Sequence, residues 1–467
     1  MTDLLHRIRD EAKRRGAAFA DARVVERFMT SIARQDGRAD KLSQNSTRGL
    51  GVRVLKDGAW GFASAADFDD ASAIVCLDTA VRMAEASKAR IEEPGIVAQI
   101  EPTVDRVMSP YEKDPRSVPL ERKMQALAAF EKEAADLCGD KLANSVLTYY
   151  DLAQKETICN TFGTLVENNV VRTLVSTMIV AKDGSIRQRG TARIGRLAGF
   201  ELVEQIDPEE FSRKAARQAV SLLEAKPAPA GKFPVIFHPS ITGLLTHEAI
   251  GHNAEADHIL GGQSIIEGKL GEQIASDVVT IIDDATLPGI WGSYKYDSEG
   301  VPSERRVLIE RGKLVGYMHS LETAAKLGVQ PNGSARADGY HNRPIVRMSN
   351  TFIQPGDMTF EEMLKGIDLG IFLTGAEYGY VFCERGQYTC HAGEAYMIRN
   401  GELAEHLRDV SVSGMTLETL MNIDAVSNDF EMKMPGSCGK DGQAMPVDNG
   451  GPYVRVKELV VGGHGQA

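Results

Sequence analysis

Residues 246–257 read THEAIGHNAEAD. An imidazole, a carboxylate and a second imidazole within six positions are the groups that bind a transition metal and move a proton beside it. The zinc-peptidase pattern H-E-x-x-H spaces its histidines by four, so both rings share one helix face and one ion. Here His247 and His252 are five apart. On an ideal helix their rings would point about 140° apart, too far to share an ion without distortion.

Gly251 immediately precedes the second histidine. Glycine permits local unwinding, and widened single turns recur at functional sites. The expectation is a helix that deforms at Ile250-Gly251 and brings His252 back beside His247. The bland alternative is a helix that happens to carry two histidines. The chain has only 10 histidines in 467 residues, yet His247, His252 and His258 cluster beside the apolar Ile241, Leu244, Leu245 and Ile250. That clustering favours metal binding.

A catalytic zinc takes three protein ligands and keeps one position open. Candidates for the third ligand are Cys383, Cys390 with the adjacent His391, His258, and Cys438. Cys438 lies in GSCGKDGQAMPVDNGGP, where Gly436, Gly439 and Gly442 let the backbone approach a site closely. A free cysteine is more often buried and inert; the glycine-rich flank argues against simple core packing.

The surrounding elements follow from periodicity. Residues 3–15 read as a helix with Leu4, Leu5, Ile8 and Ala12 on one face. Residues 20–34 read as a strand, and 51–64 as a hairpin around Asp57-Gly58. Long helices are expected over 69–90, 119–137 and 208–225, with strands over 145–187 turning at Asp183-Gly184. KPAPAGKFP then marks a boundary near Lys226. Beyond the strand 233–237 and the helix carrying the histidines, the chain reads mostly as strand and turn. The expected fold class is α+β. An N-terminal region over 1–226 has an antiparallel sheet and long helices; a β-rich, barrel-like domain over 227–467 carries the HExxxH helix.

A net charge of −12 and a pI of about 5.5 argue against a nucleic-acid partner. No apolar run reaches the roughly 18 residues of a membrane helix, so no membrane partner is expected. Six cysteines in this length make no disulfide framework, and the simplest location is cytoplasmic.

In these residues the chain resembles the TldD/PmbA family of zinc metallopeptidases, also labelled modulators of DNA gyrase. The likeness rests on HEAIGH followed by Glu255 and Asp257, and on the GSCGKDGQ segment. TRGLGVRVLKDGAWGFAS, RRVLIERGKLVGYM, EAYMIRNGELAEHLRDVSVSG and YVRVKELVVGG extend it in order along almost the whole chain. The family's noncatalytic TldE-like (PmbA) subunit typically lacks the histidine pair and late cysteine. The resemblance implies zinc (Zn2+) held by His247, His252 and Cys438, with Glu248 as the base. It also implies a catalytic TldD-type subunit that works with a TldE-like partner or as a homodimer. Asn253 and Ala256 stand where members commonly have glycine, which changes the helix exit and leaves ligands and base intact. Cys390-His391 is no family feature and is read as ordinary strand residues.

Under this reading zinc lowers the pKa of its bound water to about 7. Glu248 takes the water proton and passes it to the leaving amine. The developing oxyanion needs a donor; Arg336, Tyr340, His341 and Tyr378 are candidates that the sequence does not rank. A β-rich domain can take an extended peptide as an added strand, which suits hydrolysis of unfolded proteins or leader peptides. One rival is a noncatalytic zinc-containing scaffold or partner subunit, with His258, Cys383 or a carboxylate closing a four-ligand site. A DNA-associated regulator is a second, which the acidic balance disfavours. The dipeptidyl peptidase III type also stretches its motif to HExxxH, but the rest of this chain does not resemble it.

Overall fold

A computed structural model describes residues 1–463. The N-terminal region is built on one sheet of long strands. Phe19–Gln35, Arg38–Lys56 and Ala59–Ala65 form an antiparallel meander. Asp57 and Gly58 both take positive φ, 52° and 80°, the backbone a two-residue hairpin needs to match strand twist. Leu142–Asn160 pairs with Phe19–Gln35, and Leu165–Asp183 pairs with it in turn. The far edge of Leu165–Asp183 is shared by Ile186–Arg196 and a parallel Val104–Met108.

Strand alternation gives this sheet two different faces. Helices cover one. Thr2–Arg14 and Asp70–Ser87 bury Leu5, Ile8, Leu77 and Val81 against Val24, Val52 and Val54. Leu120–Cys138 places Leu127 and Phe130 on Leu147 and Tyr149. Pro208–Leu222 packs its alanines, Ala215 and Ala219, beside Ile179. The intervening residues, such as Met29, Tyr150 and Leu152, point the other way, toward the C-terminal half.

Arginines tie the two halves together. Arg23 Nη1 lies 3.2 Å from Glu156 and also donates to the carbonyl of Gly339 at 3.4 Å. Arg27 pairs with Asp338 at 2.6 Å, and Arg53 bridges Asp21 and Glu299.

The C-terminal half holds a six-stranded sheet and a closed barrel. The sheet runs Lys313–Leu314, Arg305–Glu310, Ile281–Asp284, Asn350–Ile353, Gln443–Gly451, Glu431–Lys440. In the barrel, Leu369–Phe382 pairs with Gly231–Phe237, that strand with Val454–Gly463, then Val410–Met415, then Gln387–Arg399, which pairs back to Leu369–Phe382. The segment bearing the two histidines shares one apolar core with both. Among the described residues, no helix is long and apolar enough to cross a membrane. All six cysteines are free thiols.

Candidate metal centre

The histidine segment begins as an ordinary helix, Pro239–Thr246. Proline opens it, and the Ser240 amide donates to Nδ1 of His238 at the cap. Ile241, Leu245 and Ala249 fall on one buried row. At the motif the helix widens. His247–Gly251 is one π-helical turn, and the His252 amide donates to the His247 carbonyl at 3.3 Å, where α geometry would have reached Glu248. The extra residue is absorbed there, and the two rings lie 5.1 Å apart, nearly perpendicular at 85°.

The widened turn includes Gly251, as the sequence predicts, and the glycine also meets a packing constraint. Its φ is not positive. A Cβ there would sit 1.9 Å from Sδ of Met348, so glycine leaves the space that the Met348 side chain fills.

Cys438 arrives on the edge strand Glu431–Lys440. Its Sγ is 3.3 Å from Nε2 of His252. The donor atoms of His247, His252 and Cys438 all lie within 4.8 Å of one another. Tetrahedral zinc, with metal–ligand bonds of about 2.0–2.3 Å, spaces its donors roughly 3.5 Å apart, so the donor set and spacing fit that ion. His247 is only 4% exposed, yet its Nδ1 has no hydrogen-bond partner among the described residues. Burial pushes the Cys438 thiol up, but His247 and His252 outweigh burial and hold it down at about 4. The pocket therefore favours the thiolate, the form that ligates a metal.

Behind the donors stands a buried charge cluster. Glu255 Oε2 accepts from Nδ1 of His252 at 3.1 Å, which leaves Nε2 facing Cys438. Burial alone would raise the Glu255 carboxyl; Lys440 and His252 bring it down to about 2. Lys440 Nζ sits 3.1 Å from Glu255 and 2.6 Å from Asp257. Arg347 lies 3.9 Å from Glu255 and donates to the Cys438 carbonyl. Carboxylates that orient a ligating imidazole are a recurring feature of metal sites. Lys440 and Arg347 do not stand out in the sequence as members of the site. The signals were Glu255 three after His252, a helical neighbour, and Lys440 two after Cys438, the same strand face.

The other candidates do not join the three donors, and His258 groups instead with Glu255 and Asp257. His258 Nδ1 is engaged by the His252 carbonyl at 3.0 Å. Cys383, on the turn after Leu369–Phe382, is half-buried, and burial raises its thiol. Cys390 is packed into the barrel core, where burial also pushes its thiol up. His391 stacks on Tyr378 at 4.2 Å. Glu248 is half-buried, and a Cβ on Gly379 would come within 3.1 Å of its Cγ. Tyr378, one residue away, is 50% exposed. Arg336 is buried, donates to the Met348 carbonyl at 2.6 Å and lies over the Tyr294 ring. Tyr340 packs on Gly49 and Gly51 of the N-terminal sheet, and the exposed His341 stands at the rim of the cavity between the halves.

Two histidines on a widened helical turn and a remote thiolate, within an α+β chain containing a five-stranded barrel, define a class of protein with a candidate metal centre. The chain belongs to the PmbA/TldD metallopeptidase family. The profiles of its domain 1, central domain and C-terminal domain match residues 20–84, 113–223 and 230–463. A metalloprotease of Methanothermobacter thermautotrophicus is 40% identical over 446 residues, 95% of each chain. A zinc metalloprotease TldD homolog of Saccharolobus solfataricus is 28% identical, with 97% of this chain and 98% of that one covered. Among solved structures, one described as a modulator of a DNA gyrase from Thermotoga maritima superimposes with a TM-score of 0.80 at 26% identity, covering 99% and 100% of the two chains. TldE from Thermococcus kodakarensis shares the fold, with a TM-score of 0.79 at 19% identity over 98% and 100%.

Proposed function

We propose that the chain is a zinc-dependent metalloprotease in which His247, His252 and Cys438 hold the ion and Glu248 is the general base. The observation that carries this is the convergence of those three donors beside Glu248. When bound, zinc supplies a Lewis acid that polarises a peptide carbonyl and acidifies water. Glu248, next in chain to His247 and only half-buried, can reach solvent and take up the water proton. It then delivers that proton to the departing amine. Glu255 holds His252 in the tautomer that presents Nε2.

The strand Leu369–Phe382 suits an extended peptide. Its edge pairs with Gly231–Phe237 only over Ile371, Phe372 and Leu373. Beyond Leu373 that edge carries no strand among the described residues, and Gly379 on it packs against Glu248. Backbone pairing there would read little side-chain identity, in keeping with unfolded proteins or leader peptides as substrates. Tyr378 then stands where a substrate contact is expected; Arg336, Tyr340 and His341 keep only the weaker claim of their place between the halves. We take a TldE-like subunit or a second copy of the chain as partner, and a reducing, cytoplasmic setting for the six thiols.

A noncatalytic zinc scaffold would need a fourth ligand. Among the described residues only three donors converge in this group, which favours the open catalytic arrangement. Peptide hydrolysis abolished by a chelator and restored by zinc is the expected result. A chain that binds zinc but cleaves no peptide, alone or with a partner, would move the reading to the scaffold.

A further inference from the structure

A cavity of about 1040 Å³ separates the N-terminal sheet from the C-terminal half. By exposed area its lining is mostly apolar, with Met29, Leu152 and Leu174 on the sheet wall and Trp291 opposite, although Thr148, Gln154 and Glu156 stand among them, the last paired with Arg23. Gly436 and Ser437, the two residues before Cys438, also line it. No residue of the metal centre does.

Two of its arginines are buried without a counter-ion. Arg172 is 5% exposed, and its Nε and Nη2 donate to the carbonyls of Trp291 and Ser293, both at 2.9 Å. Arg336 is 4% exposed and is held by the Met348 carbonyl and the Tyr294 ring. Among the described residues no carboxylate lies within 4 Å of either guanidinium, whereas Arg27 in the same wall is matched by Asp338. Burial, with the charge of Arg336 added, lowers Arg172 to about 9, and burial lowers Arg336 to about 10. The buried Asp297 does not balance them. Its oxygens accept the amides of Glu299, Val301 and Ala335, and burial beside Glu299 raises its carboxyl well above the usual range.

Burying a cation without a partner costs several kcal/mol. A fold keeps two of them in one cavity where an anionic guest completes the pairs, and the planar guanidinium matches a carboxylate bidentately. We propose that this cavity is a binding site, distinct from the metal centre, for the free C-terminal carboxylate of an apolar peptide, held by Arg172 and Arg336. The volume exceeds what a small carboxylate fills and matches several residues of chain. The choice of a peptide rather than a small acid rests on the proteolytic reading; the carboxylate recognition does not.

The test uses the full chain carrying Glu248→Gln, so that peptide is not consumed. An apolar pentapeptide with an N-terminal fluorophore is titrated as the free acid and as the C-terminal amide, followed by anisotropy. The acid is expected to bind at least about tenfold tighter than the amide. Arg172→Met or Arg336→Met should bring the acid to the level of the amide and leave the amide unchanged. Equal binding of acid and amide overturns the proposal without any variant, so misfolding of a variant does not protect it. N-acetyl-leucine is the competitor: displacement only at concentrations far above the peptide supports a chain end, and displacement at equal concentration overturns it in favour of a small acid. Failure of wild-type protein to hydrolyse peptide would remove the proteolytic reading and leave the acid–amide difference to stand or fall separately.

Discussion

Glu255 Oε2 lies 3.1 Å from Nδ1 of His252, in a position with no solvent exposure. The carboxylate fixes one imidazole and is itself held by Lys440. Glu255→Ala would free His252 and leave Lys440 with Asp257 and the Val346 carbonyl as partners. Zinc affinity is expected to fall about 10–100-fold, with Tm lowered as well. Competition titration against a zinc chelator measures it; unchanged affinity would mean that Glu255 does not orient His252.

Glu248→Gln separates binding from chemistry. The amide keeps the shape and loses the base, so zinc content should be unchanged. Hydrolysis should drop by about 10²–10⁴-fold. Cleavage at the parental rate would remove Glu248 as the base.

Gly251→Ala tests the widened turn. The added methyl meets Met348 at 1.9 Å, and overpacking of this kind costs about 1–3 kcal/mol. Chemical denaturation should report that loss, and Met348→Ala in the same chain should return part of it. Full stability of the single variant would show that the Met348 contact does not dictate glycine.

The histidine pair was legible because histidine is scarce here and chemically pointed; Cys438 stood among several candidates, and the family resemblance singled out both it and Glu248. The Asp57-Gly58 hairpin and the long helices were legible from turn chemistry and apolar spacing. The strand Arg38–Lys56 carries a legible pattern only from residue 51 onward. Its first half, RADKLSQNST, is exposed on both faces, so no alternation marks it. Barrel closure depends on Leu369–Phe382 pairing with strands on both sides, one of them more than a hundred residues earlier, and no local pattern encodes that. The widened turn ending at Gly251 is legible from the five-residue spacing and the glycine; the packing of Met348 on that glycine is not, because Met348 is almost a hundred residues away.

Asp448 sets a pH dependence outside the metal centre. Burial raises its carboxyl, against a smaller opposing pull from Arg196, to about 7. The unfolded value is near 3.8, so between these values the native state holds the extra proton. Stability from this group is therefore full below about pH 4 and is lost as pH rises toward 7. Asp448→Asn should raise Tm more at pH 8 than at pH 5. An equal shift at both values would show that Asp448 does not titrate in this window.

The central claim is that His247, His252 and Cys438 hold one zinc. Zinc-edge X-ray absorption on the metal-loaded full chain tests it most directly. One sulfur at about 2.3 Å with nitrogen or oxygen donors at about 2.0 Å is expected. In Cys438→Ser the sulfur shell should vanish while the protein stays folded. A spectrum with no sulfur shell in the parent, or one unchanged by Cys438→Ser, would contradict the account.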